Sequence, residues 1–195
     1  MTNYTENMFE IPIHHISCDG WESKKERLLE LVKDSDLDYQ FNESVKSNFH
    51  QKGKYNKEIE DIFIDEINEF CNSFRLLFSR MNSSWFQSSE TNDHHSIHNH
   101  GALGYTAVCY IEYDSDVHTP TQFIAPYLNP LTGNVIRYCP KVSEGSIVFF
   151  PSMIPHYAER NDSEKRRTIV SFNIDVEVNH QLNEFLSFID GLQLT

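Results

Sequence analysis

The feature that most constrains this chain is a series of short β-branched and aromatic runs after Arg80. SSWFQS, YTAVCYIEY, TQFIAPY, NVIRYC, GSIVFFP and RTIVSFNIDVEV are separated by Gly, Pro, Asn and Asp. The separators recur at roughly ten to fifteen residues, which suggests an antiparallel sandwich or barrel rather than βαβ units.

Upstream the period changes. Met8 to Ile16, MFEIPIHHI, alternates around a proline and predicts an edge strand. Glu22 to Lys33 predicts a helix with Leu28, Leu29, Leu31 and Val32 on a partial apolar face. Residues 34–56 are polar and irregular and predict a surface loop. From Glu58 to Arg80, Ile59, Ile62, Phe63, Ile67, Phe70, Cys71, Phe74, Leu77 and Phe78 recur at helical steps, giving the clearest helix in the chain. Leu182, Phe185, Leu186, Ile189 and Leu192 predict a short closing helix. The expected fold is mainly β with flanking α, with a helical N-terminal layer packed on a double-sheet core. At 195 residues the expectation is one domain, with a layer over 1–82, a core over 83–178 and a closing helix over 179–195.

Charge narrows the partners. Lys and Arg total 16 against 29 Asp and Glu, a net −13, which disfavours a nucleic-acid or anionic-membrane surface because phosphates are repelled. No apolar run is long enough to span a bilayer, and the start, MTNYTENMFE, lacks the basic and apolar regions of a secretion signal. Cys18, Cys71, Cys109 and Cys139 are far apart, so reduced cytoplasmic thiols are expected rather than a disulfide framework or zinc knuckle.

Ten histidines stand out, four of them between residues 94 and 100. His98 and His100 precede a predicted strand, and residues two apart in an extended segment share a face. His94 and His95 are adjacent, so an extended chain sends them to opposite sides. Farther on, GSIVFFPSMIPH gives a glycine turn, a buried strand, a proline break and His156. Arg166 and Arg167 then open the strand RTIVSFNI, and a cation at the start of a buried strand needs an anionic partner. Three neutral nitrogen ligands with positions left open suit a catalytic metal site. An arginine fork beside them suits a small organic acid.

At these residues the chain resembles the iron(II)/2-oxoglutarate-dependent dioxygenase superfamily, and within it a bacterial and phage group of 2OG-Fe(II) oxygenases. The resemblance starts weakly at an F-x-x-P-I strand, Phe9 to Ile13, and continues through a tryptophan strand, Ser84-Trp85-Phe86. Asn92-Asp93 through His98-Asn99-His100 resembles G-D-x-x-x-x-H-x-H, with asparagine for the glycine, and the strand Tyr105 to Ile111 follows. The last block resembles G-x-x-x-x-F-P-S-x-x-x-H … R-x-x-x-S-F-N, matched by Gly145, Phe150, Pro151, Ser152, His156, Arg167, Ser171, Phe172 and Asn173. The resemblance implies a double-stranded β-helix, the jelly-roll or cupin-like core, with the metal inside.

One departure matters. Most members bind iron through His-x-Asp/Glu and a distal His, whereas here the carboxylate position is His100. His100 is either the third ligand, a hydrogen-bonding group outside the coordination sphere, or the start of a shifted His100-Gly101-Ala102 register like that of iron halogenases. The first is preferred, because His98 and His100 share strand parity and both match the HxH motif. The resemblance then implies Fe(II) on His98, His100 and His156, with 2-oxoglutarate as co-substrate. Arg167 would pair with the distal carboxylate of that co-substrate, helped by Ser171, with Tyr105 and Tyr110 as hydrogen-bond donors. Arg166 is expected to face outward.

The implied activity is oxidation, typically hydroxylation, of an unactivated C–H bond in a small molecule, amino acid or peptide, consuming O2 and releasing succinate and CO2. The rivals are a jelly-roll binding or sensor module without catalysis, a three-histidine dioxygenase independent of 2-oxoglutarate, and a halogenase variant.

Overall fold

Past Arg75 the alternation of apolar and polar residues is realised as two stacked antiparallel sheets. The computed structural model describes residues 11–39 and 44–178. In chain order these form β1 (His14–Ser17), α1 (Trp21–Asp34), the two-residue strands β2 (Asp38–Tyr39) and β3 (Lys46–Ser47), and a 3₁₀ turn at Phe49–Gln51. Then come α2 (Asn56–Ser73), β4 (Leu76–Ser89), β5 (His95–His98), β6 (Tyr105–Glu112), β7 (Gln122–Leu128) and β8 (Val135–Tyr138). The last strands are β9 (Ser146–Pro151), β10 (His156–Ala158) and β11 (Arg167–Val178). The larger sheet runs β1-β9-β6-β11-β4-β3-β2 and the smaller β5-β10-β7-β8. This is the double-stranded β-helix that the resemblance implies, within the antiparallel double-sheet class suggested by the strand spacing.

The larger sheet is buried on both faces, and the two-residue period decides which side chain goes where. Ala107, Cys109 and Ile111 of β6, Ile147 and Phe149 of β9, and Val170, Phe172 and Ile174 of β11 face the helices. There they meet Leu28 and Val32 of α1 and Ile59, Ile62, Phe63, Ile67 and Phe70 of α2. Phe63 stacks on Phe172 at 5.7 Å and Phe70 on Phe149 at 4.5 Å between ring centroids. The alternate residues Val108, Tyr110, Val148, Phe150 and Ile169 face the smaller sheet, where Phe123 and Ile154 close a second cluster.

Several expectations are corrected. The clearest predicted helix stops at Ser73 rather than Arg80. Arg75 takes a left-handed φ of 54°, and Leu77 and Phe78 join β4, which pairs with β11 from Leu76↔Val178 to Ser89↔Arg167. A long ladder of backbone pairing, interrupted by two irregularities, outweighs the local helical period. Among the described residues the N-terminal edge strand runs His14–Ser17, paired with β9, and Met8 to Glu10 lie outside them. Residues 34–56 hold β2, β3 and the 3₁₀ turn rather than loop alone. The closing helix over 182–192 also falls outside the described residues.

Gly145 ties these layers together. Its N–H donates to Tyr110 O at 2.9 Å and its carbonyl accepts from Cys18 N at 3.0 Å. Its φ is +80°, and an added Cβ would stand 2.8 Å from Trp21 Cδ2. Gly145→Ala is expected to cost roughly 1–3 kcal/mol through strain and the clash with the indole. Urea unfolding followed by circular dichroism measures this, and an unchanged midpoint would contradict the packing described.

Candidate metal centre

The site is built by strand pairing. Strand β10 lies antiparallel to β5 with His156 directly opposite His98. His100, just past the end of β5, is held by its own N–H, which donates to Ser152 O at 2.9 Å. Ring centroids are 4.3 Å apart for His98–His156, 5.1 Å for His98–His100 and 4.9 Å for His100–His156. One ring nitrogen from each of the three lies within 4.8 Å of the others.

The hydrogen bonds set which nitrogen is free. His98 Nδ1 is 2.8 Å from Ser96 O, and His156 Nδ1 is 2.9 Å from Ile154 O. A carbonyl can only accept, so each Nδ1 carries the proton and each Nε2 keeps a lone pair. His100 Nε2 and His156 Nε2 are 3.1 Å apart. Two nitrogens bound about 2.1 Å from one ion at right angles stand about 3 Å apart, so this spacing suits a shared cation.

Burial keeps the rings neutral, the form that ligates metal. Loss of solvation, followed by mutual repulsion among the histidines, pushes His100 down to about 2. The same causes push His156 down to about 3. His98 is lowered, again chiefly by desolvation. An all-nitrogen, neutral donor set with no carboxylate in it fits a borderline divalent ion such as Fe(II) and fits hard, oxygen-seeking ions poorly.

Motif residues brace the rings. Trp85 lies nearly parallel to His100, 5.0 Å between centroids at 17°, and Asn173 lines the cleft beside it. Thr106 Oγ1 donates to Asn173 Oδ1 at 2.8 Å and is 2.9 Å from Ser152 Oγ. Asn173 Nδ2 donates to Ser83 Oγ at 3.1 Å. The serine of the F-P-S block and the asparagine of the S-F-N block therefore meet through Thr106.

Arg167 opens β11 on the same face and is 5% exposed. Its fork donates to Thr119 O at 2.6 Å and Ser89 Oγ at 3.3 Å, and it has no carboxylate partner among the described residues. Desolvation lowers its pKa, while the nearby Tyr110 and Tyr113 raise it. Arg166 points outward and holds Glu112 through Nε at 3.0 Å and its terminal nitrogen at 2.8 Å, as strand parity predicts. Ser171 is buried beside the histidines, lining a cavity of about 20 Å³ with Gln87, His95 and Thr121. The buried Tyr110 hydroxyl accepts from Thr121 N at 3.1 Å. A wider cleft of about 340 Å³ reaches the histidines past Trp85, Asn99 and Asn173.

Tyr105 is a correction. It shares parity with Ala107 and Cys109 and packs against Phe70 at 4.9 Å and Phe74 at 6.4 Å, on the helix face. Its hydroxyl is thus on the wrong side of the sheet to meet a molecule beside the histidines.

His95 is the residue that alternation missed. Its ring centroid is 4.0 Å from that of His98, and Gln87 Nε2 donates to its Nδ1 at 3.0 Å. Strict parity separates His95 from His98. The β5–β10 ladder is irregular, though, with His156 opposite His98 but Ala158 opposite His95. One extra residue on β5 returns His95 to the cluster. Its ring is pushed down to about 3, first by desolvation and then by the neighbouring histidines and Arg167.

Comparison with known proteins agrees with this geometry. Residues 83–173 match the family described as "Putative 2OG-Fe(II) oxygenase". No curated protein sequence matches the chain. Among solved structures, the chain is similar to the non-heme alpha ketoglutarate dependent carbocyclase SnoK from nogalamycin biosynthesis. The TM-score is 0.62 and the identity 14%, covering 90% of this chain and 87% of that one. It is also similar to a Pseudomonas putida prolyl-4-hydroxylase, with TM-score 0.58, 10% identity and coverage of 84% and 92%. A third is HygX from Streptomyces hygroscopicus with nickel, 2-oxoglutarate and hygromycin B bound, with TM-score 0.58, 11% identity and coverage of 84% and 82%. At these identities the structural likeness is one of fold. The family match spans the three histidines and Arg167, so the segment that carries the site is the one similar to the 2OG-Fe(II) oxygenases.

Proposed function

We propose that this chain uses Fe(II) and 2-oxoglutarate to oxidise, typically by hydroxylation, an unactivated C–H bond of a small or amino-acid-like molecule, releasing succinate and CO2. The carrying observation is the pairing of three imidazoles, His156 buried and His98 and His100 half-buried, drawn from β5, its C-terminal extension and β10, with a buried guanidinium that meets no carboxylate among the described residues. Bound iron would supply the dioxygen chemistry that side chains lack.

The chain's own groups do the rest. His98, His100 and His156 would hold the ion through nitrogens that stay unprotonated at neutral pH. Arg167 would hold the distal carboxylate of 2-oxoglutarate in bidentate fashion, with Ser171 donating beside it. Tyr110, anchored by Thr121 N–H, would orient that end and keep water from it. Trp85 would fix the plane of His100 and cover it from solvent. The solved structures of similar fold include a carbocyclase, a prolyl hydroxylase and a hygromycin B complex, so the reaction type rests on the site and not on the fold.

The absence of a carboxylate among the three donors favours one second reading, a three-histidine dioxygenase that needs no 2-oxoglutarate. Arg167 separates the two. Under the oxygenase reading, Arg167→Ala raises the KM for 2-oxoglutarate at least about 30-fold. Arg166→Ala, which breaks an exposed pair, leaves it within about twofold. Succinate-release assays measure both, and equal effects would contradict the assignment. Anaerobic addition of Fe(II) and 2-oxoglutarate is expected to give a weak visible charge-transfer band. His98→Ala and His156→Ala should abolish it while unfolding stays cooperative, and a band retained by His156→Ala would remove that residue from the ligand set. His100→Ala should also lose the band, whereas a weakened band would place His100 outside the coordination sphere.

A further inference from the structure

The cleft above the histidines is lined unlike the rest of this acidic chain. Acidic residues outnumber basic ones by 29 to 16, yet among the described residues the cleft is bordered by Lys52 and by no carboxylate. Nearby Lys46 and Lys54 are paired with Glu90 and Asp34, whereas Lys52 forms no ion pair among the described residues. Its ammonium stands 4.6 Å over the ring of Phe49. Phe49 in turn meets Trp85 edge-on at 5.2 Å, and Trp85 lies flat on His100 at 5.0 Å. A series of ring contacts therefore runs from Lys52 to the histidines. The short 3₁₀ turn at Phe49–Gln51 creates it by setting Phe49 and Lys52 at the cleft mouth. Asn99 and Asn173 add amide groups along the walls.

We propose that the substrate of this site is a small organic oxyanion whose charged group pairs with Lys52 while its apolar body lies on Phe49 and Trp85. This placement carries a C–H bond toward the histidines. A net charge of −13 repels anions at long range, so a substrate of this class needs a local cation to be held. Its apolar body gains contact with the exposed Phe49 ring and with the rim of Trp85 that borders the cleft. The proposal rests on the oxygenase reading for what happens to the substrate, and on Lys52, Phe49 and Trp85 for its charge.

The test reads binding without metal. The chain has two tryptophans, so Trp21→Phe leaves Trp85 as the fluorescent reporter, and the unmodified protein repeats the titration against the Trp21 background. Metal-free protein is titrated with phenylacetate, phenyl phosphate and the neutral phenylacetamide. Both anions are expected to change Trp85 emission saturably and to bind at least about threefold tighter than the amide, the scale of a solvent-exposed charge pair. The tighter of the two identifies the carboxylate or the phosphate as the native group. Lys52→Gln should erase the preference, Lys52→Glu should reverse it and Lys52→Arg should keep it. Equal affinities, a preference that survives Lys52→Gln, or no saturable change with any probe would overturn the proposal. The iron and 2-oxoglutarate charge-transfer band, recorded on the same proteins, separates the two claims. A band without anion preference defeats the substrate class alone, and anion preference without a band defeats the oxygenase reading alone.

Discussion

The pairing of β10 against β5, with His156 facing His98, is the interaction on which the rest of the site depends. More than fifty positions separate these residues in the chain, and only the return of the β-helix brings them together. A one-residue slip would turn His156 to the opposite face and leave the ring cluster without its most buried member. The register is held on both sides of β10, because Phe123 of β7 also lies opposite His156. Beyond the strand end, the His100 N–H to Ser152 O bond carries the chain on at the right depth.

Around that pairing the protein concentrates nitrogen, and among the described residues no carboxylate lines the site. Each of the three rings is kept neutral by desolvation, and the buried cation Arg167 is held by a carbonyl and a hydroxyl rather than by an acid among the described residues. Most of the chain's negative charge is displayed elsewhere, as in Glu112, which engages Arg166 on the outer surface. A buried guanidinium without an ionic partner is costly unless something anionic joins it. Under the proposed function, that anion is the co-substrate carboxylate. The polar network from Ser152 through Thr106 to Asn173 and Ser83 then stiffens the face from which His100 projects.

Much of this was legible in the sequence because it follows period and spacing. The double-sheet class came from turn residues recurring between β-branched runs, and the inward aim of Arg167 against the outward aim of Arg166 came from two-residue parity. Where the reading missed, a non-local constraint had won. The helix ended early because β11 offered Leu76 to Phe78 a ladder of backbone partners. Tyr105 fell to the helix face because a strand buried on both sides shows no polar alternation to mark which side is which. His95 entered the cluster through an irregularity in strand pairing that no single-chain period reveals. Its nearness to Gln87, across the β4 face, likewise depends on tertiary pairing alone.

The most direct test of the account is anomalous diffraction at the iron edge from anaerobically loaded crystals. A single peak about 2.1 Å from Nε2 of His98, His100 and His156 is the expected result. Iron bound elsewhere, or a peak that reaches the two β5-side rings while His156 stays unligated, would contradict it.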